Sequence, residues 1–363
     1  MNKPLPPSPT RVLLVNPTKY LGNLLLAGGL MQAYAEYCQN QHIELKIVVD
    51  DSFRTLCENS FPNDCLIYFP RKKISQANFL KKIVLYWRCL KQIRAFKAKL
   101  AFNIEEDSAT NHLTRFSAAD FKLGCSPVRH KKSYDHVLAL HFENRVQEKA
   151  HRWHSYYEVF AALNMPEPEK NYIKLTLDDL PGPLQEKLQQ AGWQPDRPTI
   201  ALHAGATKEY KKWPLSHMAT LIEKILAAGL QAVLLGAGSA DEIANNEIVQ
   251  KLDNHKLNVG PINLCNKLSL TELAQFLPQC DVMVGNDSGP FHLGSALGIK
   301  GIVLWGPTNK DIWGPLGKNS EIVSATFTCD PACNKGSCLH QHRCLQEISP
   351  DQIFEKLMAK LAP

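Results

Sequence analysis

The sequence predicts an α/β protein of two doubly wound domains, each a parallel sheet with helices on both faces, the two facing a cleft. Three observations carry this. Short apolar runs closed by turn residues alternate with helical patterns, as in PTIALHAGA, then PLSHMATLIEKILAAGL with its Gly stop, then QAVLLGAG. At 363 residues the chain exceeds one ordinary core. Pro, Gly and Asp cluster in LTLDDLPGPLQEKLQQAGWQPDRPT, where the apolar runs lapse. The expected division is residues 1–185 and 186–363.

In the first half RVLLVN, ELKIVVD, CLIYFP, KLAFNI and HVLAL read as strands, with the Gly-broken apolar stretch LGNLLLAGGLMQAYAEY between the first two. In the second half PTIALHAGA, QAVLLGAG, CDVMVGND, GIVLWGP and EIVSA do so more cleanly. Hydrophobic content of 44% and charged content of 21% suit a globular protein and exclude disorder. No apolar run approaches a membrane span, and MNKPLPPSPTRVLLVN lacks the apolar core of a signal peptide, so a cytoplasmic chain is expected. Eleven cysteines, seven scattered singly, fit reduced thiols. The net charge of +6 suits either a phosphate-bearing ligand, an anionic membrane surface or a solvated basic face. No nucleic-acid partner is expected.

The most informative stretch is GNDSGPFHLGSALG, residues 285–298, directly after the apolar run CDVMV. It reads as the turn from a buried strand into a helix starting near Pro290, proline being well placed where its missing amide proton would be unpaired. Asp287 and Ser288 are good capping residues, Gly289 permits close backbone approach, and His292 lies one turn in. Amides at a helix start favour a phosphate. The competing reading is that Asp287 and Ser288 only cap the helix and His292 is a half-buried core histidine.

This stretch resembles the D(S/T)GxxH signature of glycosyltransferase family 9, the lipopolysaccharide heptosyltransferases, which have the two-domain GT-B fold. HAGATKEYKKWP, GAGSADEIANNEI, LWGPTNKDIWGP and the cysteine run CDPACNKGSCLHQHRC resemble other family segments in order, over roughly residues 198–350. The resemblance implies that Lys211 neutralises donor phosphates, that Glu242 accepts hydrogen bonds from ribose hydroxyls, and that Asp287, Ser288, Gly289 and His292 surround a pyrophosphate. It implies an inverting transferase that needs neither metal nor cofactor. Its donor would be a nucleotide sugar, ADP-heptose, and its acceptor a lipopolysaccharide core or other glycan at the cytoplasmic face of the inner membrane, where peripheral association would bring it.

The resemblance departs at one place. Where the family carries an aspartate base after the first strand, TKYLGNLLLAGG has Asn23, which cannot take a proton at neutral pH. Glu105, Glu106 and Asp107 in AFNIEEDSATN, just past a strand, are substitute candidates, Asp107 and Glu105 first; Gly22 is a candidate contact. Asn23 could instead only position the acceptor, or the chain could bind a nucleotide sugar without transferring it. A nucleotide-sugar epimerase of the same fold is a further alternative. Cys329, Cys333, Cys338 and Cys344 lack CxxC knuckles, so structural thiols are expected rather than a metal site.

Overall fold

The computed structural model describes residues 2–6, 9–105, 107–125, 131–138, 150–253, 259–327 and 338–362. The chain forms two compact units, Met1–Thr176 and Leu177–Pro363. The expected division at 185/186 falls inside the helix Gly182–Gln190, so the junction lies ahead of that helix. The helix has Pro183 in its first turn, where a missing amide proton costs nothing, and buries Leu184 and Leu188, one turn apart.

The first unit holds β1 (Arg11–Val15), β2 (Glu44–Asp50), β3 (Leu66–Phe69), β4 (Leu100–Asn103), β5 (Phe121–Cys125) and β6 (His136–Leu138) in the parallel order β3-β2-β1-β4-β5-β6. The second holds β7 (Thr199–His203), β8 (Gln231–Leu234), β9 (Ile262–Asn263), β10 (Val282–Asn286), β11 (Lys300–Trp305) and β12 (Ser320–Ser324) in the order β12-β11-β10-β7-β8-β9. Each sheet therefore starts in the middle and reverses direction between its first and fourth strands, which places a ligand crevice at the carboxyl ends of β1 and β4 and of β7 and β10.

The central strands β7 and β10 are buried at every residue, as a parallel sheet covered on both faces requires. Met218, Leu221, Ile222 and Ile225 on the helix Leu215–Ala227 give the helical stripe that covers one face. The Gly-broken stretch is not broken: Leu21–Asn40 is one helix. Its glycines admit a crossing segment instead, since a Cβ on Gly29 would lie 2.3 Å from the Asn171 carbonyl oxygen and one on Gly28 2.5 Å from Ile173. Two strands carried no clear sequence signal: β5, FKLGC, is short and mixed, and β9 has two residues.

Candidate active site

In the second unit the switch point between β7 and β10 collects the polar residues. Asn286, at the end of β10 and fully buried, donates from Nδ2 to the Ala204 carbonyl at 2.7 Å and accepts from the Trp213 amide at 3.0 Å. One side chain thus fixes both ends of the loop carrying Lys208, Lys211 and Lys212. Asp287 follows and is 7% exposed. Its Oδ2 accepts from Lys211 Nζ at 2.6 Å and from Thr308 Oγ1 at 2.9 Å, while His292 Nε2 stands 3.7 Å from Oδ1, an electrostatic contact beyond hydrogen-bond length. Burial alone would push this carboxyl up; His292 and the Lys211 cation outweigh it and hold it at about 2.

Ser288 occupies the cap position of the helix Gly289–Ala296, yet no side chain caps that helix. Its hydroxyl meets His203 Nδ1 at 3.1 Å instead. His203 Nε2 in turn lies 3.4 Å from Asp241 Oδ2. A carboxylate can only accept, so in the neutral ring Nε2 carries the proton and Ser288 donates to Nδ1. Asp241 also accepts from the Ala237 amide at 3.0 Å. Although its burial opposes ionisation, His203 and that amide draw its carboxyl below the usual range. Asp241 fits only because two neighbours are glycine: a Cβ on Gly205 would stand 2.1 Å from its Oδ1, and one on Gly236 2.7 Å from its Cβ.

The capping reading of Asp287 and Ser288 is therefore corrected. Both side chains turn away from the helix start because stronger partners, a lysine and a buried imidazole, compete for them. The helix start keeps its dipole and amides uncapped by side chains, beside the Lys211 cation. The competing reading of His292 as a half-buried core histidine gives way as well, since it is 5% exposed and faces a carboxylate. Glu242 stands apart on the exposed rim, accepting from Asn266 Nδ2 at 3.2 Å. Sequence reading missed His203, Asp241, Thr308 and Asn286. Each sits inside a quoted motif, but its role is set by a partner in another loop.

The first unit presents its own polar cluster at the carboxyl edge of β1, β2 and β4. Glu105 is 5% exposed, accepts from the Tyr156 hydroxyl at 3.0 Å, and has Thr18 and Arg152 as further partners. Burial raises its carboxyl above the ordinary value although Arg152, Thr18 and Tyr156 pull the other way. Asp107 behaves differently. It caps the helix Ser108–Arg115, accepting from the Ala109 amide at 2.8 Å, the Thr110 amide at 3.2 Å and the Thr110 hydroxyl at 2.5 Å, and Arg71 approaches at 3.8 Å. Three of the carboxylate's roughly four acceptor positions are thus taken by its own helix, which holds it as a cap. Asn23 lies half-buried in the first turn of the helix Leu21–Asn40, and its amide has no hydrogen-bond partner among the described residues. Glu106 lies outside the described residues.

Of the late cysteines, Cys329 and Cys333 lie outside the described residues. Cys338 Sγ accepts from the His342 amide at 3.3 Å and Cys344 packs against the core of the second unit. Among the described residues no group of three His, Cys, Asp or Glu side chains could hold a metal ion.

Two sheets of this strand order, with a cationic helix start at the switch point of the second, define the GT-B class of sugar-transferring folds. The model of glycosyltransferase family 9 (heptosyltransferase) matches residues 86–342, and the chain belongs to that family: it is a glycosyltransferase. The lipooligosaccharide heptosyltransferase 2 of Campylobacter jejuni is 24% identical over 95% of this chain and 97% of its own. Among solved structures, the ADP-heptose lipopolysaccharide heptosyltransferase II of Escherichia coli superposes with a TM-score of 0.75 at 20% identity, covering 97% of this chain and 98% of that one. The family 9 glycosyl transferase of Veillonella parvula does so with a TM-score of 0.76 at 19% identity, covering 97% of each.

Proposed function

We propose that the chain transfers heptose from ADP-heptose to a lipopolysaccharide or lipooligosaccharide core acceptor, with inversion at the anomeric carbon. The observation that carries this is the Lys211–Asp287–His292–Thr308 cluster at the uncapped start of the helix Gly289–Ala296. When the bond between the anomeric carbon and the diphosphate oxygen breaks, negative charge grows on the departing ADP. A fixed cation and helix amides stabilise that charge more than the bound ground state, which lowers the barrier.

In this reading Lys211 and His292 face the diphosphate. Asp287 is a positioning residue: an ionised, buried carboxylate would repel phosphate, and its three neighbours are the groups that phosphate would want. Ser288, held by His203 and Asp241, fixes the backbone leading into Gly289. Glu242 at the rim takes the ribose hydroxyls. The attacking acceptor hydroxyl must lose a proton, and Glu105 is the carboxylate whose surroundings raise its affinity for one. Asn23 then orients the acceptor by hydrogen bonding. No helix among the described residues is long and apolar enough to cross a membrane, so a membrane-anchored acceptor would be met at the surface.

The test is calorimetric titration of wild type and Lys211→Met with ADP and UDP, followed by product analysis with ADP-heptose and a heptose-deficient core. ADP binding that falls by about tenfold or more in the variant, with a core extended by one heptose, supports the reading. A folded wild type that binds neither nucleotide, or binds ADP and extends no core, overturns it.

A further inference from the structure

The helix Phe79–Ala95 carries an apolar stripe that nothing in its own unit covers. Phe79 is 75% exposed, Leu80 73%, Ile83 48%, Val84 47% and Trp87 58%. Their spacing, four apart along 79, 83 and 87 and along 80 and 84, puts them on one helical face. The residues that hold the helix to its sheet are others, Cys89, Leu90 and Ile93, in its second half. A folded chain ordinarily scatters exposed apolar side chains; a contiguous stripe marks a binding surface.

Charge says what binds there. Between Cys65 and Ile104 the sequence has ten lysines and arginines and no aspartate or glutamate, while the whole chain is only +6, so the remainder is net acidic. Lys72, Lys81, Lys82, Arg88 and Lys91 are exposed and have no ion pair among the described residues. A second copy of this chain on the stripe would bring these cations against their like. A surface of anionic lipid headgroups over hydrocarbon satisfies both the charges and the stripe, with the tryptophan at the boundary.

Position adds a reason. The helix belongs to the crossover from β3 to β4, so its Phe79 end lies at the carboxyl edge of the first sheet. Arg71, just upstream, is tied to that edge by its 2.7 Å contact with Asp50 and its hydrogen bond to the Pro17 carbonyl. Thr18 and Glu105 stand on the same edge of this unit.

We infer that the stripe Phe79–Leu80–Ile83–Val84–Trp87, with its flanking lysines and arginines, docks this unit on an anionic membrane surface. This deepens the proposed reaction by naming where a lipid-anchored acceptor is met, and rests on it for that purpose only. Docking is read without turnover, so failure of either idea shows separately.

The experiment is flotation of the full chain with vesicles of phosphatidylethanolamine and phosphatidylglycerol, against phosphatidylcholine alone, with quenching of Trp87 by brominated lipid. The variants are Phe79→Ser/Leu80→Ser/Trp87→Ser and, separately, Lys81→Glu/Lys82→Glu. Binding to the anionic vesicles that falls by about tenfold or more in each variant, with brominated-lipid quenching lost in Trp87→Phe, is expected. Absence of wild-type binding, or equal binding by the charge-reversed variant, overturns the inference. So does a wild-type dimer that the triple-serine variant dissolves without any vesicle binding. Should the triple variant fail to fold, the charge-reversed one, altered only at exposed lysines, decides alone.

Discussion

Lys211 Nζ sits 2.6 Å from Asp287 Oδ2, joining the loop after β7 to the turn after β10 across 76 positions of sequence. The carboxylate is 6% exposed and the ammonium 21%, so the pair is mostly withdrawn from water. Removing one partner strands the other's charge.

Asp287→Ala is therefore expected to cost about 3 kcal/mol of stability, the usual scale for breaking a buried pair from one side. With Lys211→Met the loss should be sub-additive, because the second substitution removes the charge that the first leaves stranded. Urea unfolding of the two single variants and the double variant measures this. Strict additivity would mean that the two side chains do not act together.

The Asp287 carboxylate, with His292 and Lys211 beside it, also sets a pH dependence. The Asp287 carboxyl is held at about 2, below its ordinary value near 4, so its contribution is present in full above pH 4 and lost as pH falls toward 2. Asp287→Asn should cost about 2 kcal/mol at neutral pH and progressively less below pH 4. Unfolding curves of both proteins at pH 7 and pH 3 give the comparison; a difference that stays constant with pH contradicts the assignment.

Gly205 is required by Asp241, not by its own backbone. Gly205→Ala should displace the Asp241 carboxylate from His203 and Ala237, cost about 1–3 kcal/mol and weaken ADP binding. Adding Asp241→Ala should recover part of the stability without restoring binding. If the double variant is no more stable than the sum of its parts, the clash is not the cause.

Glu105 and Asp107 should separate in kinetics. Glu105→Gln is expected to lower kcat by about a hundredfold or more with little change in acceptor KM. Asp107→Ala should cost about 1 kcal/mol of stability through loss of its helix cap and change kcat modestly. Because the Glu105 carboxyl titrates above the ordinary range and a base must be unprotonated, wild-type kcat/KM should rise with pH through that raised value. A rate independent of pH on the acid side, or a Glu105→Gln enzyme of normal kcat, would remove Glu105 from the reaction.

Much of this was legible beforehand. The strands that read most cleanly, RVLLVN, ELKIVVD, KLAFNI, PTIALHAGA, QAVLLGAG, CDVMVGND and GIVLWGP, are buried along most of their length, where apolar runs and turn residues are dictated by the core. Strands β5 and β9 escaped because they are defined by pairing, β5 with β4 and β6 and β9 with β8, which FKLGC and Ile262–Asn263 do not announce. The resemblance of GNDSGPFHLGSALG identified the family and pointed to the turn where the candidate site lies.

The sequence by itself determined the two α/β units, the family and the turn that carries the candidate site, because burial, turn geometry and helix starts are local demands on residue type. Only the tertiary structure decided what the polar side chains there do. Asp287 and Ser288 are good caps in sequence and cap nothing in the fold, since Lys211 and His203, 76 and 85 residues away in sequence, are brought within 2.6 and 3.1 Å and bind them more strongly than a helix amide would. Likewise Glu105 and Asp107, two residues apart, become a buried carboxyl and a helix cap because one accepts from Tyr156 and the other from its own helix.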